Sequence, residues 1–256
     1  MSNIYKAFDH GKAFIPFITC GDPDLDTTEN LINAMADAGA DLIELGIPFS
    51  DPTAEGPVIQ AANIRALSCG VTTDKIFDMV RKVRNKVNVP MVFMTYANVV
   101  FSYGTERFLK ISAEIGMDGL ILPDVPFEER EDFAPACKKY GLDFIPLVAP
   151  TSNERISMIA KKAEGFVYCV SSLGVTGMRN KITSDVGAMV KLVHESTDTP
   201  AAIGFGISTP EQAAEMAAKA DGIIVGSAIV KIIGEHGRNA VPYVTDYVKA
   251  IKAAIR

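Results

Sequence analysis

Residues 39–57 read GADLIELGIPFSDPTAEGP, and in them a glycine that stops a helix is followed at once by a short apolar run and then by a loop. The run Leu42-Ile43-Glu44-Leu45 has the length of a strand. Strand alternation places Leu42 and Glu44 on one face and Ile43 and Leu45 on the other. The segment after it carries Gly46, Pro48, Pro52 and Gly56, so it is neither helix nor central strand. With both strand faces buried, Glu44 is a carboxylate aimed into an interior. Such burial costs several kcal/mol unless the charge is partnered or the group stays protonated. Farther along the same loop Glu55 supplies a second carboxylate, with Asp51 between the two.

The same punctuation recurs at Gly116-Met117-Asp118 before Leu120, Gly141-Leu142-Asp143 before Phe144, Gly165 before Phe166 and Gly222 before Ile223. Glycine past a helix end with a strand starting immediately is the signature of helix-to-strand connections in a parallel sheet. Phe14 to Thr19, Met91 to Thr95 and Ala201 to Ile203 complete eight strand candidates, about thirty residues apart. Helix signals fill the gaps. Asp26 and Glu29 form a capping-box-like pair ahead of Leu31, Met35 and Ala38, and Thr209-Pro210-Glu211-Gln212 combines an N-cap, an N1 proline and a capping-box glutamine. The expected fold is α/β, a single-domain (β/α)8 TIM barrel over residues 1–256 with a short N-terminal helix. A doubly wound open sheet is the competitor, and no GxGxxG follows the first strand to favour it.

The chain has 256 residues, is 48% hydrophobic and carries a net charge of −6. This acidic balance argues against nucleic acid or an anionic membrane as partner. Cys20, Cys69, Cys137 and Cys169 are scattered without CxxC or Cys/His pairing, so neither a zinc site nor a disulfide framework is expected and a cytoplasmic setting fits. The N-terminus lacks an apolar core of signal-peptide length. The longest uncharged stretch, Val87 to Thr105, is broken by Pro90, Asn98 and Gly104 and reads as a buried strand followed by a loop.

In such a barrel the chemistry sits at the C-terminal ends of the strands. Those ends include Thr19, Glu44, Tyr96, Asp124, Ala149, Ser171, Gly204-Phe205-Gly206 and Gly226-Ser227. The last two are glycine-bearing, and Gly226-Ser227 opens a helical stretch, where free N–H groups and the positive helix end favour phosphate. The loop Gly174-Val175-Thr176-Gly177 can add donors. No mouth carries the lysine of a Schiff-base aldolase; Lys181 lies out in a loop. His10, His194 and His236 fall away from the mouths, where a surface or capping place is expected, so no metal site is expected either. General acid–base chemistry by carboxylates remains, with the hydroxyls of Thr19, Tyr96, Tyr168 and Thr176 available to orient them. Aromatic rings at Phe17, Phe49, Tyr96, Tyr168 and Phe205 point to a flat apolar moiety beside the phosphate.

ELGIPFSDPTAEGP, preceded by PFITCGDP and followed by YAN, PDVP, SSLGVTG, GFGIS and VGSAIV after successive strands, resembles the alpha subunit of tryptophan synthase over essentially the whole chain. The resemblance implies a lyase without cofactor that cleaves indole-3-glycerol phosphate to indole and glyceraldehyde 3-phosphate. It also implies a beta-subunit partner, in an alpha2-beta2 complex, that receives the indole through an internal tunnel. In that comparison Glu44 is the acid/base catalyst and Glu55 stands where a second carboxylate contacts the indole N–H. Phe17, Thr19, Tyr96 and Tyr168 line the pocket, Phe205 packs near the indole, and Gly177, Gly206, Gly226 and Ser227 hold the phosphate.

The same resemblance puts Phe49, Pro52, Asn98 and Pro126 near the partner surface. Two positions depart from the family pattern: Glu55 replaces the commoner aspartate, and Thr53 an aliphatic residue. The loop Gly174–Ser184, glycine-bearing and polar, is expected to close over the site as a lid. The competing functions are a free-standing lyase that releases indole without a partner, and a non-catalytic subunit that only binds phosphate ligands.

Overall fold

Ala13–Thr19 form the first strand, β1, and every residue of it is buried, as a strand covered on both faces requires. The computed structural model describes residues 2–170, 186–204 and 206–255. After β1 come α1 (Leu25–Asp37), β2 (Ile43–Gly46), α2 (Pro57–Ser68), α3 (Thr73–Val83), β3 (Met91–Met94), α4 (Ala97–Tyr103), α5 (Thr105–Glu114) and β4 (Gly119–Ile121). The chain continues through α6 (Ala134–Tyr140), β5 (Asp143–Phe144), β6 (Leu147–Val148), α7 (Asn153–Ala160), β7 (Val167–Val170) and α8 (Val186–His194). It ends with β8 (Ala201–Gly204), α9 (Pro210–Ala217), β9 (Gly222–Val225), α10 (Ser227–His236) and α11 (Ala240–Ala254).

All pairings are parallel, in the order β5-β4-β3-β2-β1-β9-β8-β7-β6. The fifth of the eight expected strands is split. β5 pairs with β4 and β6 with β7, so the six residues 143–148 join the two ends of the sheet and close the barrel. The split falls at Pro146, which has no N–H to donate. Ile145 N–H bonds Leu120 O at 3.0 Å, and Pro146 O accepts from Tyr168 N–H at 3.0 Å, so the partner changes between these two residues.

Alternate positions divide between two cores. Ala13, Ile15, Leu42, Val92, Ile121, Ile145, Phe166, Tyr168, Ala202 and Ile224 fill the barrel. Ile43, Leu45, Met91, Phe93, Ile203 and Ile223 face the surrounding helices. The expected N-terminal helix is a single 3₁₀ turn, Ile4–Ala7, and it floors the barrel: Ile4 and Ala7 are buried against the interior cluster. The Asn3 backbone N–H bonds Asp118 Oδ1 at 2.9 Å, while Asp118 Oδ2 accepts from Arg84 Nη2 at 2.7 Å, which ties the turn to the N-terminal end of β4.

Gly39, Gly116, Gly141 and Gly165 all take positive φ, as the punctuation requires. Gly222 differs. It begins β9 without positive φ, and its lack of a side chain leaves room for Ala13 of β1. α1 starts at Leu25, because Asp24 rather than Asp26 is the N-cap and accepts from Thr27 N–H at 2.7 Å. The capping box at Thr209 and Gln212 forms as read. The uncharged stretch 87–105 supplies buried β3, but its second half folds into the helix α4 and not a loop. All four cysteines are free thiols.

Candidate active site

Glu44 stands near the C-terminal end of β2 with the inward parity of Leu42, beside Phe17 of β1 and Val92 of β3 in register. It is fully buried, at 0% exposure. Neither of its carboxylate oxygens has a hydrogen-bond partner among the described residues, and the same holds for Thr19 Oγ1. Removal from water without a compensating donor disfavours the anion and pushes Glu44 from 4.5 up to about 8. At neutral pH it is therefore mostly protonated.

Tyr168 of β7 also faces the barrel interior. Burial, and then the charge of Glu44, hold its phenol well above the usual range. Its ring lies so close to β8 that a methyl at Gly204 would sit 2.5 Å from the ring edge and 2.7 Å from the hydroxyl. Phe17 uses Gly46 in the same way, with 2.6 Å to a methyl placed there. Two glycines at strand ends thus make room for two aromatic walls.

Glu55 is half-buried on the loop between β2 and α2. Its Oε2 accepts from Asn63 Nδ2 at 2.6 Å, and the Tyr96 hydroxyl donates to the same carboxylate. Tyr96 Oη in turn accepts from Ala54 N–H at 3.1 Å, and its ring lies 5.2 Å from that of Phe49. Burial pushes Glu55 up to about 7 against the two hydrogen bonds, which favour the anion.

Gly206 takes φ +79°, and Gly226 and Ser227 form the N-cap and first residue of the ten-residue helix α10. Thr176, Gly177 and Phe205, with the expected lid 174–184, lie outside the described residues. The histidines sit elsewhere, as expected. His194 Nε2 is 2.7 Å from Asp221 Oδ2 just ahead of β9, His236 stacks on Tyr243, and His10 is exposed before β1.

Of three further polar residues around the mouth, the sequence marks Asp22 and Asp124 only as strand-end residues without a role, and it does not pick out Asn63. Asn63 interrupts an otherwise apolar stripe on α2 of Ile59, Ala62 and Ala66, and that interruption is the signal that could have found it. Asp124 receives the Ala97 N–H with both oxygens at 3.1 Å, which caps α4 beside Tyr96. Asp22 is gripped by Arg65 of α2 through Nε and Nη2, each at 2.7 Å. The partners of Asp124 and Asp22 lie 27 and 43 residues away in sequence, so only the fold reveals those pairings.

Fold and site together define a barrel enzyme equipped for proton transfer by carboxyl groups, with a glycine-flanked helix N-terminus beside them. The family model of the tryptophan synthase alpha chain matches residues 5–255. The tryptophan synthase alpha chain of Lacticaseibacillus casei is 48% identical over 255 residues, covering 100% of this chain and 96% of the relative. That of Thermoanaerobacter sp. strain X514 is 50% identical over 246 residues, covering 95% and 94%. Among solved structures, tryptophan synthase from Mycobacterium tuberculosis superposes with TM-score 0.91 at 33% identity, covering 100% of this chain and 98% of that one. Tryptophan synthase subunit alpha from Legionella pneumophila gives 0.90 at 35% identity, covering 100% and 98%. The chain belongs to the tryptophan synthase alpha chain family. It is a lyase that cleaves indole-3-glycerol phosphate in tryptophan biosynthesis. Among the described residues no helix is long and apolar enough to cross a membrane.

Proposed function

We propose that Glu44 and Glu55 divide the proton traffic of indole-3-glycerol phosphate cleavage. The observation that carries this reading is the contrast between their surroundings. Glu44 has no donor and is pushed up to about 8, while Glu55 has two donors and reaches only about 7. Burial without a donor favours the protonated form of Glu44, whereas the donors at Glu55 favour its ionised form. Opposed acidities of this kind are how one site assigns an acid and a base.

Glu44 gives its proton to C3 of the indole ring, which turns the ring into an electron sink. Glu55 accepts a hydrogen bond from the indole N–H as positive charge builds there. The Glu44 carboxylate then takes the proton of the glycerol hydroxyl on the carbon next to the ring. That C–O becomes C=O, the carbon–carbon bond breaks, and its electron pair returns to the ring. Indole and glyceraldehyde 3-phosphate leave, and Glu44 is protonated again. Phe17, Thr19, Tyr96 and Tyr168 line the indole and glycerol pocket, with Phe205 added on the strength of the family resemblance and Thr176 as a further hydroxyl expected from the sequence. The phosphate sits at Gly226 and Ser227, where the α10 N-terminus offers free N–H groups, with Gly206 beside it and Gly177 added on the strength of the family resemblance.

Family membership also supports a beta-subunit partner in an alpha2-beta2 complex, a cytoplasmic setting, and one barrel domain over residues 1–256. Glu44→Gln, assayed for indole release, is expected to lose turnover by about 10²-fold or more. Near-normal release by the folded variant would overturn the assignment. The same assay with and without added beta subunit separates a partnered lyase, strongly activated by it, from a free-standing one.

A further inference from the structure

We infer that Asn63 on α2 is a positioning residue of the reaction, whose side-chain amide fixes where the Glu55 carboxylate sits and therefore where the indole N–H is received. The inference rests on the reading of Glu55 given above.

Asn63 is 4% exposed, on a helix face shared with Ile59, Ala62 and Ala66. A buried amide carries a desolvation cost that a hydrogen bond must offset. Its Nδ2 donates to Glu55 Oε2 at 2.6 Å, a hydrogen bond that favours the ionised carboxylate.

The helix that presents Asn63 is itself fixed. Ile59, one turn earlier, packs with Phe17 of β1 and Val230 of α10. Arg65, two residues later, grips Asp22 at the mouth of β1 through two bonds of 2.7 Å, and Asp22 is 1% exposed. Glu55 is held from its other end as well, since its backbone carbonyl accepts from Gln60 Nε2 at 2.7 Å. The position of a loop carboxylate is thus referred, through α2, to the rigid mouth of β1.

Among the described residues, the groups around Glu55 are few. Tyr96 faces it from the mouth of β3, with Asp124 from the mouth of β4 behind that ring. Asn63 and Gln60 face it from α2, whose nearest cation, Arg65, is engaged with Asp22. Asp51 on its own loop is exposed and bonded to Ser50.

The test is the pH dependence of kcat/KM for indole release by the full chain. Asn63→Ala is expected to raise the midpoint of the acidic limb by about one pH unit, because a donor that favours the anion is lost. Asn63→Asp, nearly the same shape but a repelling carboxylate, is expected to raise it further, and it decides the matter if the alanine variant does not fold. Glu55→Asp withdraws the carboxylate from Asn63 by roughly one carbon–carbon bond, about 1.5 Å. In that background Asn63→Ala is expected to cause no further shift. An acidic limb unmoved in both Asn63 variants, or moved equally in the Glu55→Asp background, overturns the inference. A Glu55→Gln enzyme that keeps near-normal kcat/KM overturns the reading of Glu55 itself. An inactive Glu55→Gln with an unmoved Asn63→Ala overturns only the positioning role.

Discussion

Glu44 is kept in a form that works against folding at alkaline pH. In the unfolded chain its carboxyl ionises near the ordinary value of 4.5, whereas in the barrel it ionises at about 8. Below the first value both states hold the proton and there is no effect. From there to about 8 the unfolded chain has released a proton that the folded chain retains, so stability falls as pH rises. Above 8 the penalty is complete, on the order of 3 kcal/mol or more for a shift of this size. Glu44→Gln removes the titration. Denaturant unfolding is expected to show the variant gaining on the parent steadily between pH 5 and pH 8, with no gain at pH 4. A gain that does not vary with pH would mean the acidity of Glu44 is ordinary.

At the level of elements, the mouth depends on close approaches between a side chain on one strand and a glycine on the next. Gly204→Ala would place a methyl 2.5 Å from the Tyr168 ring, and that ring is enclosed in the barrel core. Overpacking of this kind costs about 1–3 kcal/mol. The variant is expected to unfold at lower denaturant and to lose turnover, because the Tyr168 wall must move; unchanged kinetics would place Tyr168 away from the substrate.

Much of this architecture was legible in the chain. The apolar runs behind glycines marked the strands, and parity alone aimed Glu44 inward. What was not legible depended on distant partners. Strand five broke because Pro146 changes neighbours, which no local pattern records. α1 began earlier because two aspartates competed for one cap. Stretch 97–103, opening Ala-Asn-Val-Val and lacking charge, gave no amphipathic signal of a helix; Asp124, remote in sequence, caps it. Asn63 became meaningful only once Glu55 was seen against it.

On the scale of the whole molecule, the strand ends converge on a mouth while the opposite end is stopped by the turn Ile4–Ala7. Ile4 is fully buried, within 3.1 Å of where methyls on Gly119 and Gly165 would stand, so two strand starts yield space to it. Ile4→Ala is expected to cost about 2–5 kcal/mol and to open a void at the base. If water enters it, the alkaline limb of the kcat/KM profile moves to lower pH, because Glu44 ionises more readily once solvated. An unchanged limb would show that the layers above suffice to keep Glu44 dry. Among the described residues the barrel is stoppered at its base, which leaves the mouth as the doorway for substrate, product and exchangeable protons. Whatever fills that doorway also isolates the acid from bulk solvent; in the proposed chemistry the proton that Glu44 gives to the indole stays on C3 and is replaced by one from the glycerol hydroxyl, so each turnover leaves the enzyme recharged without drawing on the water outside.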